Sequence, residues 1–408
     1  MFSIEITKLY NSIALTNRFF RYLIPVLVLL LSFSPLFAQD FDMDWYRKAL
    51  VVDPHSDAIL SHIRGRNLEK RSDKGHVDFI RLAEGGVDVQ FFALWPSPKY
   101  KPDGMFKHTV MLLDSLQAVV SRNPDKIRLC RTPEEIENTV AKGKICACIG
   151  IEGGTAIEGS LDKLQYFYDR GVRYITLTWN DSPGWATSAK DETDPNWKSK
   201  KGLSEFGRKV IRKMNELGMI VDLSHSGEQT FYDVLKETGK PVICSHSSVY
   251  SICPHFRNLK DEQLKALGKN GGVIFINFYP GYLVKDFDRV YMKARKEITV
   301  IQDSLKKAGS NKPFDRAAYI HKQIDPLMPD VGTLVDHIDY VVNLIGDDHV
   351  GIGSDFDGIS ITPIGLEDVT KMPAIAKELI RRGYSKQSVE KILGKNFMRV
   401  FRAVSETK

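Results

Sequence analysis

Six side chains of the kinds that ligate metal ions stand at or just after apolar runs typical of β-strands. They are three histidines and three carboxylates: His55, Asp57, Glu152, His225, His246 and Asp355. Imidazole and carboxylate groups are common ligands of zinc and similar divalent ions. Six of them are too many for one tetrahedral zinc and suit two ions that share a bridging carboxylate. Such a pair of ions can activate water as a nucleophile at neutral pH, so the pattern predicts a hydrolytic centre.

Each of these residues has a structural explanation when it is taken alone. Asp57 could cap a helix, Glu152 could pair with a lysine, and a single histidine is usually structural or on the surface. Metal binding is favoured because all six residues follow predicted strands at their C-terminal ends. We interpret six other histidines as structural or surface residues: His62, His76, His108, His321, His337 and His349.

The elements that must position these ligands alternate between strand and helix. Eight apolar runs predict strands: Ala49–Val52, Val87–Trp95, Lys144–Ile151, Val172–Thr178, Met219–Leu223, Pro241–Cys244, Gly272–Asn277 and His349–Gly353. Amphipathic stretches separate most of them, and Thr132 and Ser204 have the surroundings of helix caps. We therefore predict an α/β protein whose parallel strands close into a (β/α)₈ TIM-like barrel, with its chemistry at the C-terminal strand ends. A doubly wound open sheet is the competing architecture, but no glycine-rich phosphate loop supports it.

Composition and charge are those of an ordinary globular protein. The 408 residues are 43% hydrophobic and 26% charged, and the net charge of +6 is spread over both signs. Because no basic stripe with interleaved aromatic residues occurs, we expect no nucleic-acid partner. We predict a single barrel domain over residues 39–408, with a long polar insertion at about 279–330 that forms helices over the active face.

The N-terminal residues have the organisation of a secretory signal. Lys8, Arg18 and Arg21 precede an apolar run at 22–33, and Ala38 is followed by a polar residue. This pattern predicts a signal peptide at residues 1–38 and export to the periplasm or the exterior. The apolar run is short for a membrane span, and membrane association is expected only if the segment stays uncleaved. The five cysteines leave the question of disulfide pairing open.

These motifs resemble those of the membrane dipeptidase (renal dipeptidase) family, M19, zinc peptidases related to the amidohydrolase barrels. The resemblance covers essentially the whole mature chain. The motifs follow one another in order: residues 52–57, 78–87, 90–92, 150–154, 222–225, 245–248 with Arg257-Asn258, and 351–358. Any one of these motifs alone would be weak evidence, whereas the ordered set is specific.

The resemblance implies two Zn²⁺ ions per subunit, with Glu152 as the bridging ligand. The other implied ligands are His55, Asp57 and Asp355 for one ion, and His225 and His246 for the second. Asp355 would also carry a proton to the leaving amine. Arg257 would bind the free C-terminal carboxylate of a dipeptide, because a planar two-pronged cation suits that group. The resemblance also allows a homodimer.

The chain departs from the family at two positions near the predicted centre. Trp179 stands where members commonly carry a histidine that contacts the substrate, and Thr155 replaces a histidine often found after the glycine pair. The indole of Trp179 offers an N–H donor but cannot act as an acid or a base. We therefore expect Trp179 to contact the substrate, narrow the pocket and change the choice of substrate.

Three functions are compatible with these observations. The first is a binuclear zinc dipeptidase that hydrolyses unblocked dipeptides, including those with a D-residue at the C-terminal position. The second is an amidohydrolase-type enzyme that acts on another carboxylate-bearing amide, ester or lactone. The third is a metal-binding barrel without catalysis that binds peptides. Arg257 favours a substrate with a carboxylate, and the complete ligand set argues against the third function.

Overall fold

A computed structural model describes residues 41–309 and 313–406 of the chain, and the predicted signal peptide lies outside them. The described residues contain nine strands, which we number in chain order: β1 Val52–Ser56, β2 Val89–Leu94, β3 Ile127–Leu129, β4 Ile145–Glu152, β5 Val172–Thr176, β6 Ile220–Asp222, β7 Ile243–Ser247, β8 Val273–Ile276 and β9 Val350–Ile352. All the strand pairings are parallel.

Eight of the strands form a nearly closed barrel in the order β1-β2-β4-β5-β6-β7-β8-β9. A parallel bridge between Ser56 and Phe356 brings the end of β1 against the segment after β9. The predicted (β/α)₈ barrel is thus confirmed, and the open doubly wound sheet is excluded. Only β3 lies off the barrel, where it pairs with β4.

Two strand predictions were wrong. The strand Ile127–Leu129 was missed because it has three residues, of which only Ile127 is buried, and so shows no strand periodicity. The first strand was placed at Ala49–Val52 but runs over Val52–Ser56. Its polar residues were placed just after the strand, yet the fold includes them in it, buries them and gives them partners: Asp53 accepts hydrogen bonds from Gln90 and Ser354.

Helices connect the strands and cover the outside of the barrel. They span Met43–Tyr46, Ala58–Ile63, Phe79–Gly85, Met105–Ser121, Pro133–Val140, Leu161–Asp169, Ala189–Thr193, Glu205–Leu217, Glu228–Glu237, Asp261–Asn270, Pro280–Leu283, Phe287–Lys307, Arg316–Ile324, Val331–Ile345, Pro373–Arg381, Lys386–Glu390 and Asn396–Ser405. The predicted caps form, since the Ser204 and Thr132 side chains accept hydrogen bonds from the amides of Gly207 and Glu135.

The helix Asn396–Ser405 closes one end of the barrel. Its Phe397 ring packs against Phe91 of β2 and Phe275 of β8, with ring centroids 4.9 and 5.9 Å apart. These residues belong to an apolar cluster that includes Val52 of β1 and Val89 of β2, near the strand starts. The opposite end, where the strands finish, is therefore the end left for chemistry.

The residues at about 279–330, predicted as an insertion, contribute three helices, of which Phe287–Lys307 and Arg316–Ile324 pack together as a hairpin, here called the cap helices. Tyr291, Met292 and Arg295 of the first cap helix line a cavity over the C-terminal strand ends. No helix in the described part of the chain has both the length and the apolar composition of a membrane span.

Candidate metal centre and active site

The carboxylate of Glu152, the last residue of β4, lies between three histidines. Its Oε1 atom is 3.0 Å from His225 Nε2 and 3.5 Å from His246 Nε2. Its Oε2 atom is 3.5 Å from His55 Nε2. Each carboxylate oxygen thus faces a different part of the site, which is the arrangement expected of a bridging ligand.

Asp57 and Asp355 complete the arrangement on the side of His55. Ligand atoms of His55, Asp57 and Asp355 all lie within 4.8 Å of one another, as do those of Glu152, His225 and His246. A Cβ atom at Gly358 would lie 2.3 Å from both Asp355 Oδ1 and Asp57 Oδ2, so only glycine fits between the two carboxylates and the loop. The fold therefore brings all six candidate ligands into two adjacent groups.

The centre contains buried polar atoms that lack partners. His55 Nε2 and Asp57 Oδ1 have no hydrogen-bond partner in the described part of the chain, and the Nε2 atoms of His225 and His246 are only 3.0 Å apart. A buried unpaired polar group is costly, and a cation between these lone pairs would remove the cost. The residues therefore fit divalent metal ions, as a chemically matched set of nitrogen and oxygen ligands.

Ionisation of the site also favours bound cations. Burial would raise the pKa of Glu152, but the charge of His55 and hydrogen bonds from the histidines hold it well below its ordinary value. Burial, with the nearby Arg257 cation, lowers the pKa of His225 to about 3. Burial would lower the pKa of His55, but the Glu152 and Asp57 carboxylates outweigh it and raise this pKa to about 10. Glu152 is thus an anion and His225 a neutral imidazole, the states that ligands require, whereas His55 carries a proton that a bound cation would displace.

Asp222 is close enough to His55 and His246 to be considered a ligand, but its oxygens are already used. Its Oδ2 atom accepts hydrogen bonds from Thr176 and from Ser245, the latter at 2.6 Å. Its Oδ1 atom accepts the amides of Ser224 and Ser245. Asp222 therefore supports the site from behind. Ser245 Oγ lies 2.8 Å from His246 Nδ1 and links the two residues.

The other two histidines are held in the same way. His225 Nδ1 lies 3.2 Å from Asn180 Oδ1, and His55 Nδ1 lies 2.9 Å from the Tyr174 hydroxyl. Tyr174 donates its hydroxyl proton to the Pro54 carbonyl at 2.9 Å, so it accepts from His55. With Nδ1 as the donor in each ring, the Nε2 atom of each histidine faces Glu152 and can turn its lone pair toward a cation.

The Tyr174 ring reaches His55 because Gly150 lies opposite it. A Cβ atom at residue 150 would be 2.0 Å from Tyr174 Cζ. Tyr174 was not recognised as a site residue, nor were Asn180, Asp222 and Ser245. The available signal was weak: Asp222 and Ser245 are polar residues within or beside apolar strands, while Tyr174 is an ordinary strand residue.

Replacement of Tyr174 by phenylalanine is expected to weaken metal binding about 10- to 100-fold. The reason is that His55 loses the acceptor that fixes its tautomer and ring orientation. Titration of the metal-free protein with zinc, followed by calorimetry, measures the effect. Tyr340→Phe is the matched control, because the Tyr340 hydroxyl binds Asp261, which is not among the site residues. Equal affinities for the two variants would show that Tyr174 does not position His55.

Two site residues adopt the left-handed backbone conformation that non-glycine residues rarely take. The φ angles are 64° at His225 and 58° at Asp355. Such conformations cost energy and persist where the surrounding structure imposes them, often at functional sites. Asn277 helps to hold Asp355, since its Nδ2 donates to Asp355 Oδ2 at 2.9 Å. The backbone is thus shaped to present these two ligands.

Arg257 is a buried cation next to the centre. It is 3% exposed, its Nη2 donates to the His246 carbonyl at 3.0 Å, and its Nε has no partner. Among the described residues, no carboxylate lies within ion-pair distance of its guanidinium. The guanidinium also lies 5.3 Å from the centroid of the Tyr282 ring. An anion is the partner that this arrangement lacks.

A cavity of about 600 Å³ opens above the centre. Trp179 lies in its wall, half-buried, with its ring centroid 5.0 Å from that of Trp95 and 6.4 Å from that of His225. Thr155, the second departure noted in the sequence, lies in a short 3₁₀ turn after Gly153. The structure thus places Trp179 at the cavity and all six candidate ligands beneath it.

The five cysteines are buried free thiols. Burial raises the pKa of Cys244 well above its ordinary value and that of Cys253 to about 11. Neither thiol is therefore activated as a nucleophile.

Comparison with known proteins identifies the family. Residues 42–408 match the model of the membrane dipeptidase family, peptidase family M19. An uncharacterized dipeptidase of Schizosaccharomyces pombe is 33% identical over 377 residues, which are 87% of this chain and 80% of that protein. These matches confirm the resemblance seen in the motifs.

Solved structures show the same fold. The metallopeptidase called dipeptidase AC is 25% identical, with a TM-score of 0.72 over 88% of this chain and 99% of that one. The probable dipeptidase PvdM from Pseudomonas aeruginosa is 22% identical, with a TM-score of 0.75 over 89% of this chain and 97% of that one. A metallopeptidase from Rhodobacter sphaeroides was solved with a phosphinate mimic of L-Ala-D-Ala. It is 24% identical, with a TM-score of 0.71 over 87% of this chain and 99% of that one.

Proposed function

The chain belongs to the membrane dipeptidase family, and from this membership we propose that it is a zinc-dependent dipeptidase that hydrolyses unblocked dipeptides. We further propose that each subunit binds two zinc ions and that a D-residue is accepted at the C-terminal position. The relative solved with a mimic of L-Ala-D-Ala supports the last point. The nitrogen and oxygen atoms of the candidate ligands around Glu152 support the proposal of two zinc ions.

The observation that carries the proposal is the buried Arg257 beside the candidate metal centre. Its guanidinium has an unused Nε and no acidic partner among the described residues, so it can bind a carboxylate from the substrate. A planar guanidinium matches a carboxylate with two parallel hydrogen bonds. Because Arg257 contacts the backbone of the candidate ligand His246, a dipeptide whose free C-terminus binds Arg257 would extend its peptide bond toward the candidate metal centre.

The candidate ligands divide between two metal positions. His55, Asp57 and Asp355 would hold one ion, His225 and His246 the other, and Glu152 both. When bound, the metals would supply Lewis acidity that polarises the scissile carbonyl and makes water a better nucleophile. Zinc suits this mixture of imidazole and carboxylate ligands.

Asp355 is the residue placed to move protons. Burial raises its pKa to about 6, even though the His55 charge opposes this shift. A carboxylate at this position can take a proton from the attacking water and give it to the leaving amine. Asn277 donates to Asp355 Oδ2 and so holds the carboxylate in its orientation.

The test is hydrolysis by the mature protein from Gln39 onward, loaded with zinc. The substrates are L-L and L-D dipeptides, N-blocked dipeptides, dipeptide amides, simple esters and lactones. We expect cleavage of the unblocked dipeptides only, with a loss of about three orders of magnitude in kcat/KM in His246→Ala. His349→Ala is the control, since the His349 ring contacts the Gly272 carbonyl and is not a candidate ligand.

Activity on esters or lactones alone would instead identify an amidohydrolase with another substrate. Inactivity on every compound, with two zinc ions bound per subunit, would identify a non-catalytic barrel.

We also propose that the protein is exported through residues 1–38 and acts in the periplasm or outside the cell. We propose separately that it forms a homodimer, which light scattering tests. Cell fractionation tests the export. Full-length protein retained in the membrane fraction would show that the N-terminal segment stays attached.

A further inference from the structure

Trp95 and Trp179 form an aromatic corner in the wall of the cavity. Their ring centroids are 5.0 Å apart and their planes meet at 65°. Both residues are half-buried, and both line the cavity above the metal ligands. We propose that this corner is the subsite for the N-terminal side chain of the dipeptide and selects a large apolar or aromatic residue there. The inference rests on the proposed dipeptidase function and names its substrate class.

The corner is next to the reacting centre. Trp95 follows β2 and Trp179 follows β5, and Glu152 ends β4, the strand that lies between these two in the barrel. A Cβ atom at Gly153 would lie 3.6 Å from Trp179 Cβ, so the backbone beside Glu152 is in contact distance of Trp179. A residue whose carbonyl is held at Glu152 therefore has its side chain within reach of both rings.

Barrel topology decides which residue of the dipeptide reaches the corner. In the order β1-β2-β4-β5-β6-β7-β8-β9, three strands separate β2 from β7 in either direction around the barrel. Arg257 follows β7 and Trp95 follows β2, so the two residues lie on opposite sides of the centre. A dipeptide with its carboxylate on Arg257 and its carbonyl at Glu152 extends its N-terminal residue toward Trp95.

The cavity that the corner faces has both apolar and charged lining residues. Leu60 and Ile359 line the same cavity, and Met292 of the first cap helix lies across it. Charged residues line it too: the cations Arg64, Lys190 and Arg295, and the carboxylates Asp57, Glu152, Asp288 and Asp355. Asp357, also in the lining, is already engaged by Arg66 in an ion pair. Apolar side chains gain burial against the two rings, whereas a lysine or arginine side chain would lose hydration of its charge there.

The expected preference is large enough to measure. Burial of a leucine or phenylalanine side chain against these rings should raise kcat/KM about 10- to 100-fold over a glycine at the same position. The substrates Phe-Ala, Leu-Ala, Lys-Ala and Gly-Ala differ only in the N-terminal residue. We expect the order Phe-Ala and Leu-Ala above Gly-Ala, with Lys-Ala well below the two apolar substrates.

The deciding experiment compares the ratio of kcat/KM for Phe-Ala and Gly-Ala in the zinc-loaded wild-type protein and in Trp95→Ala. We expect the ratio to fall at least about 10-fold in the variant. The control is Trp45→Ala, which removes a half-buried indole bonded to Glu390, near the C-terminal helices, and should keep the wild-type ratio. Thermal unfolding checks that each variant is folded. Trp179→His, which changes the other ring, should lower the ratio as well and replaces Trp95→Ala if that variant does not fold.

The outcomes separate the inference from the function on which it rests. The subsite is overturned, while the dipeptidase function stands, if the wild-type enzyme has equal kcat/KM values for Gly-Ala and Phe-Ala. It is also overturned if the ratio of these kcat/KM values is unchanged in both Trp95→Ala and Trp179→His. Failure to cleave any of the four dipeptides overturns the proposed function, and the subsite with it. A preference for Lys-Ala would overturn the apolar subsite, because the carboxylates of the cavity, and not the rings, would then select the substrate.

Discussion

Replacement of Glu152 by glutamine is expected to lower kcat/KM on unblocked dipeptides by about three orders of magnitude or more. The carboxylate presents one oxygen to His225 and His246 and the other to His55, at 3.0 to 3.5 Å. Glutamine has nearly the same shape, but one of these oxygens becomes an amide group that carries no lone pair for a metal. The negative charge that balances two cations is also lost.

Metal content measured alongside activity tests this explanation directly. We expect Glu152→Gln to bind fewer zinc ions per subunit than the wild-type protein after dialysis, as measured by atomic emission. Glu216→Gln is the matched control because Glu216 is exposed and pairs only with the surface residue Lys213. Wild-type zinc content with lost activity would assign Glu152 a role in the chemistry alone. Wild-type activity would contradict the proposed site altogether.

Replacement of Arg257 by methionine is expected to lower kcat/KM on unblocked dipeptides about 100-fold or more, because two charge-assisted hydrogen bonds to the substrate are lost. The same change should have a much smaller effect on a dipeptide amide, which has no terminal carboxylate. The wild-type preference for the acid over the amide should therefore almost disappear. Arg257→Lys keeps the charge but not the planar fork and should recover only part of the preference.

A control is needed because Arg257 also donates to the His246 carbonyl and could act by holding that ligand. Zinc affinity of Arg257→Met separates the two roles, since a carboxylate-binding residue should leave it within a few-fold of wild type. Arg399→Lys serves as the matched control, because Arg399 binds the Gly271 and Asp348 carbonyls on the barrel exterior. Equal losses on the acid and on the amide would contradict the assigned role of Arg257.

Much of the fold could be predicted from local patterns. Apolar strand runs alternate with amphipathic helices, and the caps at Ser204 and Thr132 mark helix starts. These features depend on neighbouring residues, so a single sequence contains them. The strand Ile127–Leu129 and the bounds of β1 were missed because neither depends on local pattern. The short strand exists through its pairing with β4, and the polar residues of β1 are satisfied by partners far along the chain.

The sequence by itself determined the types of ligand and their place at strand ends. His55, Glu152, His225 and Asp355 could be chosen because the ends of parallel strands meet at one face of a barrel, whatever the details of packing. The resemblance to the membrane dipeptidases added Arg257 and its implied partner, the C-terminal carboxylate of a dipeptide. It also marked Trp179 as a departure.

Only the tertiary structure decided which groups support these candidate ligands and which line the cavity above them. His55 and Tyr174 are 119 residues apart, and their contact depends on the missing side chain at Gly150. The corner of Trp95 and Trp179 likewise requires β2 and β5 to lie on either side of β4. Such contacts arise from the order of strands and the space between side chains. Neither the strand order nor the space between side chains produces a periodic pattern in the sequence, because each depends on residues that the closed barrel brings together from distant positions.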